Sequence, residues 1–187
     1  MSLTFSRRSF LKYTAVAAVA VAGSSLLTGC KDNPYQPTGT IGSKLSIMGD
    51  FTLLSNPAPT YAPTVEDGTM TCTLVIECTS KRNLQVTPYC FQVDVYDNEK
   101  DEKLLNTYRY DSAKQSVTLK KSVGDLKKDQ KLETELYCKG MNLANGNIVK
   151  IKYWPRAQAS EGLLGYTEAY ATWTMKYDAA KKEFVKV

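Results

Sequence analysis

The stretch TMTCTLVIECT, residues 69–79, carries the clearest period in the chain. Cys72, Leu74, Ile76 and Cys78 fall on one side of an extended backbone, and Thr71, Thr73, Val75 and Glu77 on the other. Successive side chains of a strand point to opposite faces, so the alternation predicts a strand with one face in a core. Downstream, the same period recurs. In residues 89–96 it predicts Tyr89, Phe91, Val93 and Val95 inward, with Cys90, Gln92 and Asp94 outward. Leu132, Thr134, Leu136 and Cys138 share a face, as do Val149, Ile151 and Tyr153 before Pro155, and residues 170–177 form a strong strand through Trp173.

Weaker segments fill the gaps. Residues 45–53 read as a strand interrupted at Gly49-Asp50, and residues 104–110 and 116–119 as short strands. Residues 184–187 return as an edge strand after a turn at 178–182. Pro57, Pro59 and Pro63 make 55–68 a loop, 140–146 is a turn containing Asn145-Gly146, and 156–165 is a loop with two Gly. Short strands between turn signals, with no long amphipathic helix, predict an all-β antiparallel sandwich or barrel of about 7–9 strands.

Composition narrows the chemistry. The 187 residues contain no His, which removes Ser-His-Asp and Cys-His nucleophile activation and the commonest zinc ligand. The net charge of +5 overstates the basicity. Arg7, Arg8 and Lys12 precede any acid, leaving 21 basic against 19 acidic residues in the rest, a net of +2. That balance gives no reason to expect nucleic acid as a partner.

The N-terminus explains the asymmetry. Arg7 and Arg8 lead an apolar run from Tyr13 to Leu27, which ends in Leu27-Thr28-Gly29-Cys30. A charged front, a short apolar middle and small residues at the end describe an export signal rather than a membrane span, which takes roughly 20 apolar residues. Ser6-Arg7-Arg8-Ser9-Phe10-Leu11-Lys12 closely resembles the twin-arginine signal family, with Arg7, Arg8, Phe10 and Leu11 as the recognised residues. By that resemblance the route carries proteins already folded. Residues 27–30 resemble the lipobox of bacterial lipoproteins, which implies cleavage before Cys30 and lipid on its sulfur and amine. The resemblances imply a signal peptide at 1–29, a signal helix in form, and a lipid-anchored protein on the extracytoplasmic face of the membrane. Lys31 lacks the Asp that signals inner-membrane retention in that family. Residues 30–44, with two Pro and two Gly, read as a flexible lipidated tether; its fourteen residues 31–44 span at most about 50 Å. The domain is then 45–187.

Residues 71–77, 92–97, 125–136 and 148–153 are similar in pattern to telokin-like immunoglobulin-type domains found behind lipoprotein tethers, which often have Gly where this chain has Asp129. The resemblance implies an immunoglobulin-like sandwich acting as a binding or accessory module.

Four cysteines remain beside Cys30, in a compartment that permits disulfides. Three connectivities exist. The favoured one is Cys78–Cys90 with Cys72–Cys138, the alternative being buried thiols. With no C-x-x-C spacing, no metal centre or cofactor is expected. Asp97-Asn98-Glu99-Lys100-Asp101-Glu102 lacks the Gly of a calcium loop, with Tyr108 where the bidentate Glu belongs, and reads as a solvated turn. Lys120, Lys121, Lys127 and Lys128 read mainly as a solvated loop.

Late aromatics, Trp154, Tyr166, Tyr170 and Trp173, form a candidate ligand face, with core packing favoured for part of the set. The expectation is a non-enzymatic module for an envelope protein or wall polymer. A structural subunit of an envelope complex is the alternative, and a His-independent carboxylate hydrolase comes last, because no carboxylate pair stands out.

Overall fold

The computed structural model describes residues 33–49, 52–59, 63–98, 100, 103–159, 162–165 and 169–187. All belong to one compact unit, Asp32–Val187. The signal helix expected in 1–29 and Cys30 lie outside the described residues. In chain order the described strands are β1 (Thr38–Thr40), β2 (Ile47–Gly49), β3 (Thr52–Pro59), β4 (Thr64–Glu66), β5 (Thr69–Cys78), β6 (Leu84–Val86), β7 (Phe91–Tyr96) and β8 (Leu104–Arg109). There follow β9 (Val117–Leu119), β10 (Val123–Leu126), β11 (Lys131–Cys138), β12 (Ile148–Tyr153), β13 (Arg156–Ala159), β14 (Gly162–Gly165), β15 (Ala171–Asp178) and β16 (Glu183–Val185). These segments outnumber the 7–9 strands expected, because many are three- or four-residue pieces that share one edge of a longer strand.

β5 is the spine of one layer. One edge pairs with β11 along its length, and the other is shared by β3 and β4. Its residues alternate between half-buried and fully buried throughout, as the sequence predicts. The second layer runs β15-β12-β7-β8, with β16 and β1 on the far edge of β15. A bridge between Glu183 and Thr64 joins the layers through β16 and β4. Inward residues of both layers, among them Leu74, Ile76 and Leu136 from one and Val93, Ile151 and Trp173 from the other, form one core. Each such side chain contributes about 2 kcal/mol of burial. A small sheet, β10-β6-β13-β14, adds Leu84, Val86 and Leu126 to it. The architecture is the all-β, immunoglobulin-like sandwich expected, antiparallel except for β1 against β15.

Four local expectations are corrected. The segment expected as tether is part of the domain from Tyr35 onward. The amide of Tyr170 donates to the Tyr35 carbonyl, that of Thr172 to Pro37, and the Trp173 indole to Ser43 at 2.8 Å. Residues 55–59 extend β3 rather than forming a loop. Pro57 and Pro59 lie beyond the reach of β2, whose pairing stops at Ser55. Being two residues apart, they turn their missing N–H groups to the same side of the strand, as Pro does at sheet edges. Residues 156–165 are a β-hairpin whose first strand pairs with β6. Residues 64–71 are another, closed at Asp67-Gly68 with φ of 47° and 69°, the geometry of a two-residue turn with both central residues left-handed.

The four described cysteines, Cys72, Cys78, Cys90 and Cys138, are free and buried. β5 and β11 are the antiparallel neighbours expected, but the register sets Cys72 opposite Leu136 and Cys138 opposite Met70. The two cysteines are therefore diagonal neighbours, about 7–8 Å apart, beyond the usual reach of a disulfide. Cys78 instead donates to the Ser80 and Arg82 carbonyls, and Cys90 to the Gln85 carbonyl. Burial pushes all four thiols up, Cys72 and Cys138 to about 12.

Candidate functional site

The outer face of β7 carries Gln92 and Asp94, which the alternation assigns to it. In register, Gln92 lies between Lys152 of β12 and Arg109 of β8, and Asp94 between Lys150 and Thr107. These neighbours cover both residues, so Asp94 is only 2 % exposed. Its carboxylate accepts from Lys152 Nζ at 2.8 Å, Gln92 Nε2 at 2.6 Å and Thr107 Oγ1 at 2.8 Å. Burial works against the charge, but these three donors and the Lys152 cation outweigh it and hold the carboxyl below its usual range. Lys152 is the counterpart. Burial lowers it, while the Asp94 hydrogen bond and charge, with Tyr96 and Tyr170, raise it to a net upward shift.

The ionised Asp94 fixes the Gln92 amide with its NH₂ inward, which turns Oε1 toward Arg109. Arg109 Nε donates to that oxygen at 2.7 Å. The Arg109 guanidinium is thus held by its inner edge. Neither Arg109 nor Arg156 forms a salt bridge among the described residues.

Aromatic rings surround these cations. The alternation of residues 89–96 predicts Tyr89 inward and Cys90 outward. Thr87-Pro88 instead opens a 3₁₀ turn, Pro88–Cys90, which shifts the period by one. Cys90 becomes buried and Tyr89 is 56 % exposed. The Tyr89 ring centroid lies 4.2 Å from that of Tyr110, and Arg156 stands over it at 5.8 Å. Trp154, whose amide donates to the Cys90 carbonyl, stacks on Tyr170 at 5.0 Å. Tyr89, Phe91, Gln92, Arg109, Tyr110, Trp154 and Arg156 together line a pocket of about 390 Å³. A second pocket of about 650 Å³ shares Tyr89, Arg109 and Tyr110 and follows β8 into residues 111–116.

Of the expected ligand face, Trp154 lines the pocket and Tyr170 supports it. Trp173 belongs to the core, fully buried with its indole committed to Ser43. Tyr166 lies outside the described residues, as do Arg7, Arg8, Phe10, Leu11 and Cys30. The residues not anticipated are Tyr89, Tyr110, Arg109 and Arg156; Pro88 was the available signal for Tyr89. Tyr108, at the position of the absent calcium ligand, donates from its hydroxyl to the Gly140 carbonyl. The four lysines at 120, 121, 127 and 128 are exposed, and Lys120 pairs with Glu135 at 2.6 Å.

Residues 4–24 match the family model of the TAT (twin-arginine translocation) pathway signal sequence. The chain is therefore exported across the cytoplasmic membrane by the twin-arginine route. No curated protein matches it in sequence. Among solved structures it is similar to the archaellum periplasmic stator protein FlaG from Sulfolobus acidocaldarius, at 10% identity over 65% of this chain and 99% of that one, with a TM-score of 0.38. The FlaF and FlaG complex from the same organism gives 13% identity, 71% and 98% coverage and a TM-score of 0.37. The ASH / PapD-like domain of human CEP192 gives 10%, 85%, 98% and 0.38.

Proposed function

We propose that the chain is a non-enzymatic binding module of the bacterial envelope, held at the extracytoplasmic face of the membrane by lipid on Cys30. The observation that carries the binding role is the 390 Å³ pocket, in which the exposed Tyr89, the half-buried Tyr110 and Trp154 and two guanidinium groups without acid partners among the described residues converge. Its size falls within the ~300–1,000 Å³ typical of small-ligand sites. Several features support a non-catalytic role. The chain has no His, its four domain cysteines are buried with raised thiols, and Asp94 spends its charge on three internal donors. The lipid anchor is supported by Leu27-Thr28-Gly29-Cys30 at the end of the signal. Two acyl chains hold a protein stably where one does not.

Photocrosslinking tests the binding role. A benzoylphenylalanine at position 89 should capture an envelope component in intact cells, and one at the exposed Lys186 should not; equal capture at both would remove the site. Cys30→Ala tests the anchor. The variant should leave the membrane for the soluble extracytoplasmic fraction or accumulate uncleaved. A processed, membrane-bound Cys30→Ala protein overturns lipidation.

A structural subunit is the second reading. It is favoured by β8, the last strand of its layer, where Leu104 and Leu105 are 51 % and 50 % exposed. Self-association that Leu105→Lys abolishes, with position 89 silent in crosslinking, would favour it.

A further inference from the structure

We propose that the pocket between Tyr89 and Trp154 takes an acidic saccharide, one or two pyranose rings bearing a carboxylate or a phosphate. This deepens the binding-module reading and rests on it. The lining sorts into two kinds of group. Tyr89, Tyr110 and Trp154 supply flat apolar faces, on which the C–H faces of a sugar ring pack. Arg109 and Arg156 supply donors in the fork geometry that matches carboxylate and phosphate oxygens. Arg109 is already oriented: its Nε is bound to Gln92, and Gln92 is locked in turn by the buried Asp94. The two Nη groups are left for the ligand, and little side-chain freedom is lost when it binds.

Other ligand classes fit less well. A cation would meet two guanidinium groups. A wholly apolar ligand would cover those groups without pairing them, which is costly. An extended acidic peptide brings N–H donors, yet the one side-chain amide oxygen among the lining residues named, that of Gln92, already accepts from Arg109. Saccharide hydroxyls accept as well as donate, so they complement a donor-rich wall. At about 390 Å³ the pocket is near the lower end of the ligand-site range, which limits the bound part to one or two rings.

The chain has two tryptophans, and Trp173 is sealed in the core, so intrinsic fluorescence changes report Trp154. The full-length protein in detergent is titrated with digalacturonate, glucose 6-phosphate, cellobiose, inorganic phosphate and a pentaglutamate peptide. Saturable quenching by digalacturonate or glucose 6-phosphate is expected, the two arms separating carboxylate from phosphate. Cellobiose should bind about tenfold or more weakly, and Arg156→Gln and Arg109→Gln should each weaken the acidic sugar by about tenfold, the scale of one lost charged hydrogen bond. Thermal midpoints matching wild type show that the variants are folded, and Arg156→Gln, whose side chain makes no hydrogen bond or ion pair among the described residues, is the decisive one. The proposal is overturned if cellobiose binds as well as digalacturonate and glucose 6-phosphate, if inorganic phosphate or pentaglutamate binds more tightly than both, or if neither acidic sugar binds. In the last case, capture at position 89 keeps the binding module and discards only the ligand class; silence at position 89 discards both.

Discussion

Asp94 shows how much one buried charge can organise. It is ionised beneath a sheet face because Lys152, Gln92 and Thr107 all donate to it, and through Gln92 it sets the direction of Arg109. Asp94→Asn removes the counter-charge and leaves Lys152, itself 21 % exposed at the side chain, largely covered and unpaired. Losing one partner of a buried pair costs about 3–5 kcal/mol, and the partial exposure of Lys152 brings the expected loss toward about 2–3 kcal/mol. Urea unfolding checks this as a lower midpoint at unchanged slope. The pH dependence has a definite sign. The folded carboxyl lies below its unfolded value, so its contribution is complete above about pH 4 and is lost as pH falls through the folded value. The raised Lys152 contributes fully below the ordinary lysine range and loses its part only as pH climbs beyond it. Wild type should therefore lose stability faster than Asp94→Asn as pH falls below about 4; parallel acid limbs would show that Asp94 is not the group responsible. The outward position of Gln92 and Asp94 is legible in the alternation. Their partners are not, because Arg109, Thr107 and Lys152 come from other strands, and register is a tertiary quantity.

At the scale of the element, sequence period succeeded where a strand was long. β5, β11, β12 and β15 fall where alternation puts them, since six to ten residues of period two leave no other burial pattern. It failed where backbone pairing, not side-chain pattern, makes the strand. β1 is three residues of Thr-Gly-Thr with no apolar face, and it exists because β15 offers it an edge in parallel register, Gly39 opposite Trp173. The Asp67-Gly68 hairpin was legible in principle, but the prolines upstream masked it. Gly39 gives β1 its test. A methyl there would lie 2.9 Å from both Leu45 Cδ2 and Ser43 Cβ, inside any normal contact. Gly39→Ala should cost about 1–3 kcal/mol through overpacking, read as a lower thermal midpoint. In a free tether the same change would be neutral or slightly stabilising, so an unchanged or raised midpoint would return residues 38–40 to the linker. Asp129 takes the left-handed conformation that favours Gly, with φ of 64°.

At the scale of the whole molecule, the export route and the core chemistry constrain one another. If the twin-arginine route carries this sandwich already folded, as the signal's resemblance implies, the sandwich closes in the reducing cytoplasm, where thiols persist. On that order, Cys72, Cys78, Cys90 and Cys138, buried in the folded domain, would be covered before the chain meets an oxidising compartment. Cys72 and Cys138, raised to about 12, have almost no thiolate at neutral pH, and thiolate is the form that oxidises. The even number of cysteines beside Cys30 and the extracytoplasmic address favour disulfides, whereas folding before export favours thiols, and composition does not record which comes first. Protein taken from the envelope without reductant should resist iodoacetamide at pH 7 while native. Once denatured it should gain four adducts, at Cys72, Cys78, Cys90 and Cys138, resolved by peptide mass. Adducts at only two of these positions, or at none, would mean bridges had formed, and the fold would then have been completed outside the membrane rather than before crossing it.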